Sequence, residues 1–263
     1  MATYWQVLPD VYEIGVRFLA APWLTRAYLV TRAEPRGLLL VDTGSAGSEG
    51  RIRSCIQAAG YEPADLQAIV LTHWHEDHTG ALGALLDEAP QARAYAGPAD
   101  AAILREQKPE LIHDLGVLGA LTGGEMKHSP GKLTPAQAAR VHDLIPDDAD
   151  TALAGWDLRV LPVPGHTPAS VALHSPGRRA LFSGDALDGW KRVLFIVMTY
   201  DDREQMEATA QQLLELDFDT LLPGHAHAIR DAGKAHRQPL GRLSWTERVI
   251  MQRVLGLKLL VRV

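Results

Sequence analysis

The chain has 263 residues, 46% of them apolar and 22% charged, with 23 Gly and 16 Pro scattered along it; this excludes a disordered or fibrous protein and suits one layered α/β domain with a sizeable core. The formal net charge of −6 weighs against a nucleic-acid binder, although from Arg230 onward eight basic residues face only Asp231 and Glu247, leaving the rest at −12. Cys55 is the single cysteine, no Lys or Arg precedes Arg17, and the longest apolar stretch, residues 193–200, falls far short of the roughly 20 residues that cross a bilayer, so no internal disulfide, export signal or membrane span is read and a cytoplasmic location is expected.

Along the first 72 residues, short apolar runs at 5–14, 27–31, 37–41 and 68–72 read as strands, with a helix near 48–59. The runs ending at Val41 and Leu71 are continuously apolar, as expected of strands covered on both faces, and each ends in polar residues. Residues 97–150 break this rhythm. Pro98 and Pro109 stand where first helical residues would, Thr134-Pro-Ala-Gln137 has the form of a capping box, and Leu111, Leu115 and Leu118 fall on one helical face. A helical insertion is therefore expected. It is read as plain cover, as a lid whose Leu115 and Leu118 line a substrate pocket, or as a homodimer interface. Strands resume at 157–164, 170–175 and 179–183, a helix opens at Asp201-Asp-Arg-Glu204, and a further strand covers 218–222. A last amphipathic helix, capped at Ser244-Trp-Thr-Glu247, lies in a basic, partly helical extension over 231–263.

Chemistry concentrates just past the strand ends. His73-Trp-His75-Glu-Asp77-His78 places four candidate ligands in six residues directly after an apolar strand. On an extended end His73 and His75 point the same way, and a turn then brings Asp77 and His78 to a neighbouring point. Imidazole and carboxylate at that spacing suit a zinc-type cation. Two further histidines follow an apolar run and a Pro-Gly turn, His166 and His225, and Ser183-Gly184-Asp185 sets a carboxylate at the same kind of strand end. Seven ligands on one rim would hold two metals. The remaining histidines His113, His128, His142, His174 and His236 have no such context and read as surface or structural, and Cys55 reads as a small buried apolar residue.

These motifs, together with the Val41-Asp42-Thr43-Gly44 turn, resemble the metallo-β-lactamase-fold hydrolases over about residues 4–230. The resemblance implies a four-layer αβ/βα sandwich. It implies that His73, His75 and His166 hold one metal ion, that Asp77, His78 and His225 hold a second, and that Asp185 bridges them. His227 competes with His225, which stands in the Pro-Gly-His position. Ala169 and Ala226 depart from the glycine usual in the family at those places. Asp42 is expected behind the ligands, fixing the His-rich loop. Two divalent ions, Zn2+ by default with Fe or Mn as alternatives, would acidify a water and polarise a carbonyl, and Asp77 would orient the hydroxide and serve the leaving group.

Among the branches of that family, a secreted zinc β-lactamase lacks an Asp at the position of Asp185, and diiron oxygen-reducing members usually carry Glu where His75 stands. The leading expectation is a thioesterase resembling glyoxalase II, a lactonase or another carboxylic-ester hydrolase, acting on a small acyl substrate. The alternatives are a small endoribonuclease or phosphodiesterase of the same fold and, after it, a non-catalytic metal-binding module.

Overall fold

The computed structural model describes residues 4–18, 21–114, 125–145, 153–190, 193–196, 199–234, 237 and 258–262. The strands of the N-terminal half are β1 (Tyr4–Leu8), β2 (Val11–Phe18), β3 (Ala21–Arg32), β4 (Gly37–Val41), β5 (Leu66–Val70), β6 (Arg93–Ala96), β7 (Glu110–Asp114), β8 (Glu125–His128) and β9 (Val141–Asp143). Those of the C-terminal half are β10 (Arg159–Pro162), β11 (Val171–Ser175), β12 (Ala180–Gly184), β13 (Asp188–Trp190), β14 (Val193–Ile196), β15 (Thr199–Tyr200), β16 (Thr220–Pro223) and β17 (Lys258–Arg262). The helices are α1 (Glu49–Ala58), α2 (Glu76–Thr79), α3 (Leu82–Glu88), α4 (Pro98–Glu106), α5 (Pro135–Ala138) and α6 (Arg203–Leu214).

Period-two alternation sorts the apolar side chains into layers. In the seven-stranded sheet β1-β2-β3-β4-β5-β6-β9, Leu39, Val41, Ala68 and Val70 face a second sheet, β10-β11-β12-β16, and meet its Val171, Leu173, Phe182 and Leu222. The intervening residues Leu38, Leu40, Ile69 and Leu71 turn the other way, onto Ile52, Cys55 and Ile56 of α1 and Leu82, Leu85 and Leu86 of α3. Behind the second sheet, Ala172, Leu181 and Leu221 meet Leu213 and Leu214 of α6. The order of layers is helix, sheet, sheet, helix, the expected αβ/βα sandwich. Cys55 packs in this core, where burial pushes its thiol up to about 12, in keeping with an inert apolar role.

The insertion differs from its expected form. Pro109 does not start a helix: α4 ends at Glu106 and is capped by Gln107, which adopts a left-handed φ of 55°, and the proline follows two residues after that cap, where it bars continuation. Glu110–Asp114 is instead a strand paired antiparallel with β8, Leu111 opposite Lys127, and Leu111 is 64% exposed rather than packed on a helix face. Leu115 and Leu118 lie outside the described residues. The capping box at Thr134 and Gln137 forms as read, on the short α5. Helix α6 is capped by Asp202, one residue later than read, its carboxylate accepting from Gln205 N at 3.0 Å. The helix read from Ser244 lies outside the described residues, and the end of the basic extension is strand β17, antiparallel to β14. Among the described residues no helix is long and apolar enough to cross a membrane.

Strands β10, β12 and β16 run in the same direction, so their C-terminal ends share an edge. The loop after β5 joins that edge through Val171 N, which donates to Thr72 O at 2.8 Å. Ligand chemistry in layered α/β folds gathers at such strand ends, where loops leave the sheet.

Candidate metal centre

The four loops bring all seven residues together. His73, His75, Asp77 and His78 follow β5, His166 follows β10, Asp185 follows β12 and His225 follows β16; all but His225, whose side chain is 27% exposed, are buried. Two glycines make the approach feasible. Gly165 has φ +129°, and a Cβ there would lie 2.3 Å from Met206 backbone; a Cβ on Gly224 would lie 2.2 Å from Asp185 Oδ1.

The ligand atoms fall into two groups. His166 Nε2 lies 3.1 Å from both His73 Nε2 and His75 Nδ1. In the other, His78 Nε2 is 3.4 Å from Asp185 Oδ1 and 3.6 Å from Asp77 Oδ2, and His225 Nε2 is 3.0 Å from Asp185 Oδ2 and 3.5 Å from Asp77 Oδ2. Asp185 joins the groups, since its Oδ2 is also 3.5 Å from His166 Nε2.

Electrostatics separates the groups. Burial holds His73 and His75 well below the usual imidazole range, and the neighbouring rings add to it, so both are neutral lone-pair donors. Burial works against charge on His78 too, but Asp77, Asp185 and Asp42 outweigh it and push the ring up to about 9. His225 is likewise raised by Asp185 and Asp77 against the effect of burial. Asp185 stays ionised because His225, His78 and His166 outweigh its desolvation.

The donor set fits divalent cations. Tetrahedral bonds of about 2.0–2.1 Å put ligand nitrogens roughly 3.3 Å apart, close to the 3.1 Å contacts among the three rings. Among the described residues His78 Nε2 and Asp185 Oδ1 are buried without a hydrogen-bond partner, which a folded interior rarely tolerates. A cation between them would satisfy both.

Asp42 stands behind this group. Its backbone takes a left-handed φ of 59°, a conformation Asp tolerates better than most residues. Its carboxylate accepts from Thr72 N at 2.7 Å and Thr72 Oγ1 at 2.8 Å, and lies 2.9 Å from His78 Nδ1. A proton on that Nδ1 leaves Nε2 to face Asp185 and Asp77. Glu76, inside the His-rich motif, turns away and accepts from Ser45 Oγ and Ala46 N.

Geometry also separates the two competing histidines. His227 Nδ1 lies 2.6 Å from Glu13 Oε1, its ring meets Trp5 edge-on at 5.2 Å, and its side chain is 64% exposed. Glu13, paired with Arg26 and accepting from Ala228 N, pins the chain just past His225, while Arg26 N and Tyr28 Oη bond Gly224 O and Pro223 O before it.

Sequence reasoning missed four participants. Glu13 and Arg26 sit in ordinary strand positions. His128, read as surface or structural, is half-buried with its ring 4.5 Å from that of His75, because β8 carries the insertion to the metal rim. Asp100 is buried completely in the first turn of α4 and bonds both loops of the three-histidine group. Among the other histidines, His142 packs on Tyr95 and His174 Nε2 meets Asp217 O.

The model of the metallo-beta-lactamase superfamily matches residues 20–225. A hydroxyacylglutathione hydrolase from Aeromonas salmonicida is 30% identical over 238 residues, 86% of this chain and 75% of that one. A beta-lactamase-like protein 2 homolog from Caenorhabditis elegans is 25% identical over 78% of this chain, which spans 57% of that relative's length. A subclass B3 metallo-beta-lactamase from a soil metagenome has the same fold, with a TM-score of 0.62 at 18% identity over 96% of this chain and 95% of that one. The family match spans most of the chain and takes in the histidine and aspartate clusters up to His225, and the chain belongs to the metallo-beta-lactamase superfamily of metal-dependent hydrolases.

Proposed function

We propose that the protein is a dinuclear metal-dependent hydrolase of a carboxylic thioester, ester or lactone. The observation that carries this reading is Asp185, one carboxylate set 3.0–3.5 Å from ring nitrogens of both histidine groups. In it His73, His75 and His166 would hold one ion, Asp77, His78 and His225 would hold the other, and Asp185 would serve both groups of residues, with Zn2+ as the default metal.

Two bound cations supply an acidified water and a Lewis acid for the acyl carbonyl. The protein's own groups do the rest. Asp42 orients His78, and Asp185 keeps the two histidine groups at a set separation. Asp77, with its carboxylate at the rim, orients the attacking water and carries its proton to the leaving thiol or alcohol. Strand β8 of the insertion stands on the substrate side, as the place of its His128 beside His75 supports. The likeness to hydroxyacylglutathione hydrolases supports a thioester among the substrates. A charge of −12 over the chain before Arg230 disfavours a polyanion at this rim.

The test combines metal analysis of protein purified without added zinc with a hydrolysis panel of thioesters, lactones, aryl esters, a cephalosporin and single-stranded RNA. Two metal equivalents and best rates on a thioester or lactone are expected. Metal content that never exceeds one equivalent, or RNA cleavage that outpaces every acyl substrate and vanishes in His75→Ala, would overturn the reading.

A further inference from the structure

We propose that Asp100 is a positioning residue for the three-histidine half of the metal centre: its carboxylate sets the distance between the loop that carries His73 and His75 and the loop that carries His166. The inference rests on reading that half as a metal site.

Asp100 belongs to neither loop. It sits in the first turn of α4, and its Oδ2 accepts from Trp74 N at 3.1 Å and from Thr167 Oγ1 at 2.7 Å, while Oδ1 accepts from Ala169 N at 3.2 Å. Trp74 lies between His73 and His75 in the chain, and Thr167 directly follows His166. One side chain therefore holds the backbone beside all three imidazoles. The contact is close-fitting: a Cβ on Gly97 at the start of α4 would lie 1.9 Å from Ala169 O. Thr167 is held in turn by Ser170, whose Oγ lies 2.6 Å from Thr167 Oγ1 and accepts from Thr167 N at 3.2 Å.

Fold stability alone does not account for a carboxylate here. Asp100 is 0% exposed, and no Lys or Arg pairs with it among the described residues. Burial pushes the carboxyl up to about 7 against the pull of its three donors, so ionising it in place is costly. An apolar residue of similar volume would avoid that cost. What such a residue lacks is a pair of acceptors reaching two separate loops, and that geometry matters where three ring nitrogens must meet within about half an ångström.

The test uses the full chain, stripped by chelation, then titrated with Zn2+ against a chromophoric chelator and separately with Co2+ followed by visible absorption. Asp100→Asn keeps the shape but sets an amide N–H against a backbone N–H. It is expected to weaken one of two Zn2+ equivalents about 10- to 100-fold, to alter the Co2+ spectrum of that equivalent, and to leave the other within about threefold. Thr167→Val is expected to act in the same direction and less, and Thr167→Ser to restore the wild-type affinity and spectrum. Should Asp100→Asn not fold, the Thr167 pair decides alone. Unchanged affinities and spectra in Asp100→Asn, or equal weakening of both equivalents with Thr167→Ser no better than Thr167→Val, would overturn the proposal. A wild-type chain that takes up only one equivalent would instead count against the dinuclear reading, leaving Asp100 to be judged on that equivalent.

Discussion

The two halves of the candidate metal centre are built from opposite chemistry. His73, His75 and His166 meet as rings, of which burial keeps His73 and His75 neutral, with the edge of Asp185 nearby. His78 and His225 sit among Asp77, Asp185 and, behind them, Asp42, and their rings are raised instead. Without metal, protons on His78 and His225 therefore supply the positive charge that a cation would bring to the carboxylates. The first half needs only correct placement of lone pairs. The second half needs charge.

The largest expected effect comes from removing the residue that both halves share. Asp185→Asn should lower turnover on the best acyl substrate by at least about 100-fold and reduce bound metal, with little change in unfolding temperature; near wild-type turnover would mean that the halves work without a shared carboxylate. Next comes a change confined to one half. Asp42→Ala removes the acceptor facing His78 Nδ1 and should weaken metal at the carboxylate-rich half about 10- to 100-fold while sparing the other. Gly224→Ala, by contrast, should weaken both halves, because its new Cβ would lie 2.2 Å from Oδ1 of the shared Asp185. Equal weakening of both equivalents in Asp42→Ala would show that the two halves are not separable.

Acid and alkali should separate the halves in the chelated, metal-free chain. His78 titrates at about 9 when folded, above its usual 6.5. Its contribution is thus fully present below pH 6.5 and is lost as pH rises through 9. For His73 and His75 the sign is reversed: their folded values are depressed, so their contribution is present above pH 6.5 and fades as pH falls below it. Denaturant unfolding across pH 5–10 checks this. His78→Gln should flatten the alkaline limb, His73→Gln the acid limb, and the opposite pairing would break the contrast. The smallest effect is expected at His227. His227→Ala removes an exposed ring from Glu13, which keeps Arg26 and Ala228 N, so activity should stay within about threefold and stability within roughly 1 kcal/mol, whereas His225→Ala should lose metal. Metal content and turnover of the two variants decide the point.

Much of the candidate metal centre is legible in the chain because its candidate ligands stand at strand ends, where apolar period and turn residues are local signals. His73, His75, Asp77 and His78 follow one apolar run, and His166 and His225 each follow a Pro-Gly turn, so spacing alone draws attention to them. The preference for His225 over His227 came from its Pro-Gly context, and the geometry adds the reason the two diverge, the acceptor Glu13 being 214 residues away in sequence. Nothing local marks Asp100, whose donors lie 26 to 69 residues away, or His128, which reaches His75 only because β8 pairs with β7. The helix expected at Leu111 failed for a related reason: Pro109 is compatible with either the start of a helix or the residues just past one, and the left-handed Gln107 settled which. The sequence by itself determined which side chains could bind metal and on which strand ends they stand, since both follow from short-range periodicity. Only the tertiary structure decided that burial keeps His73 and His75 neutral while carboxylates raise His78 and His225, because the depth of each ring and the long-range placement of acidic groups set its charge.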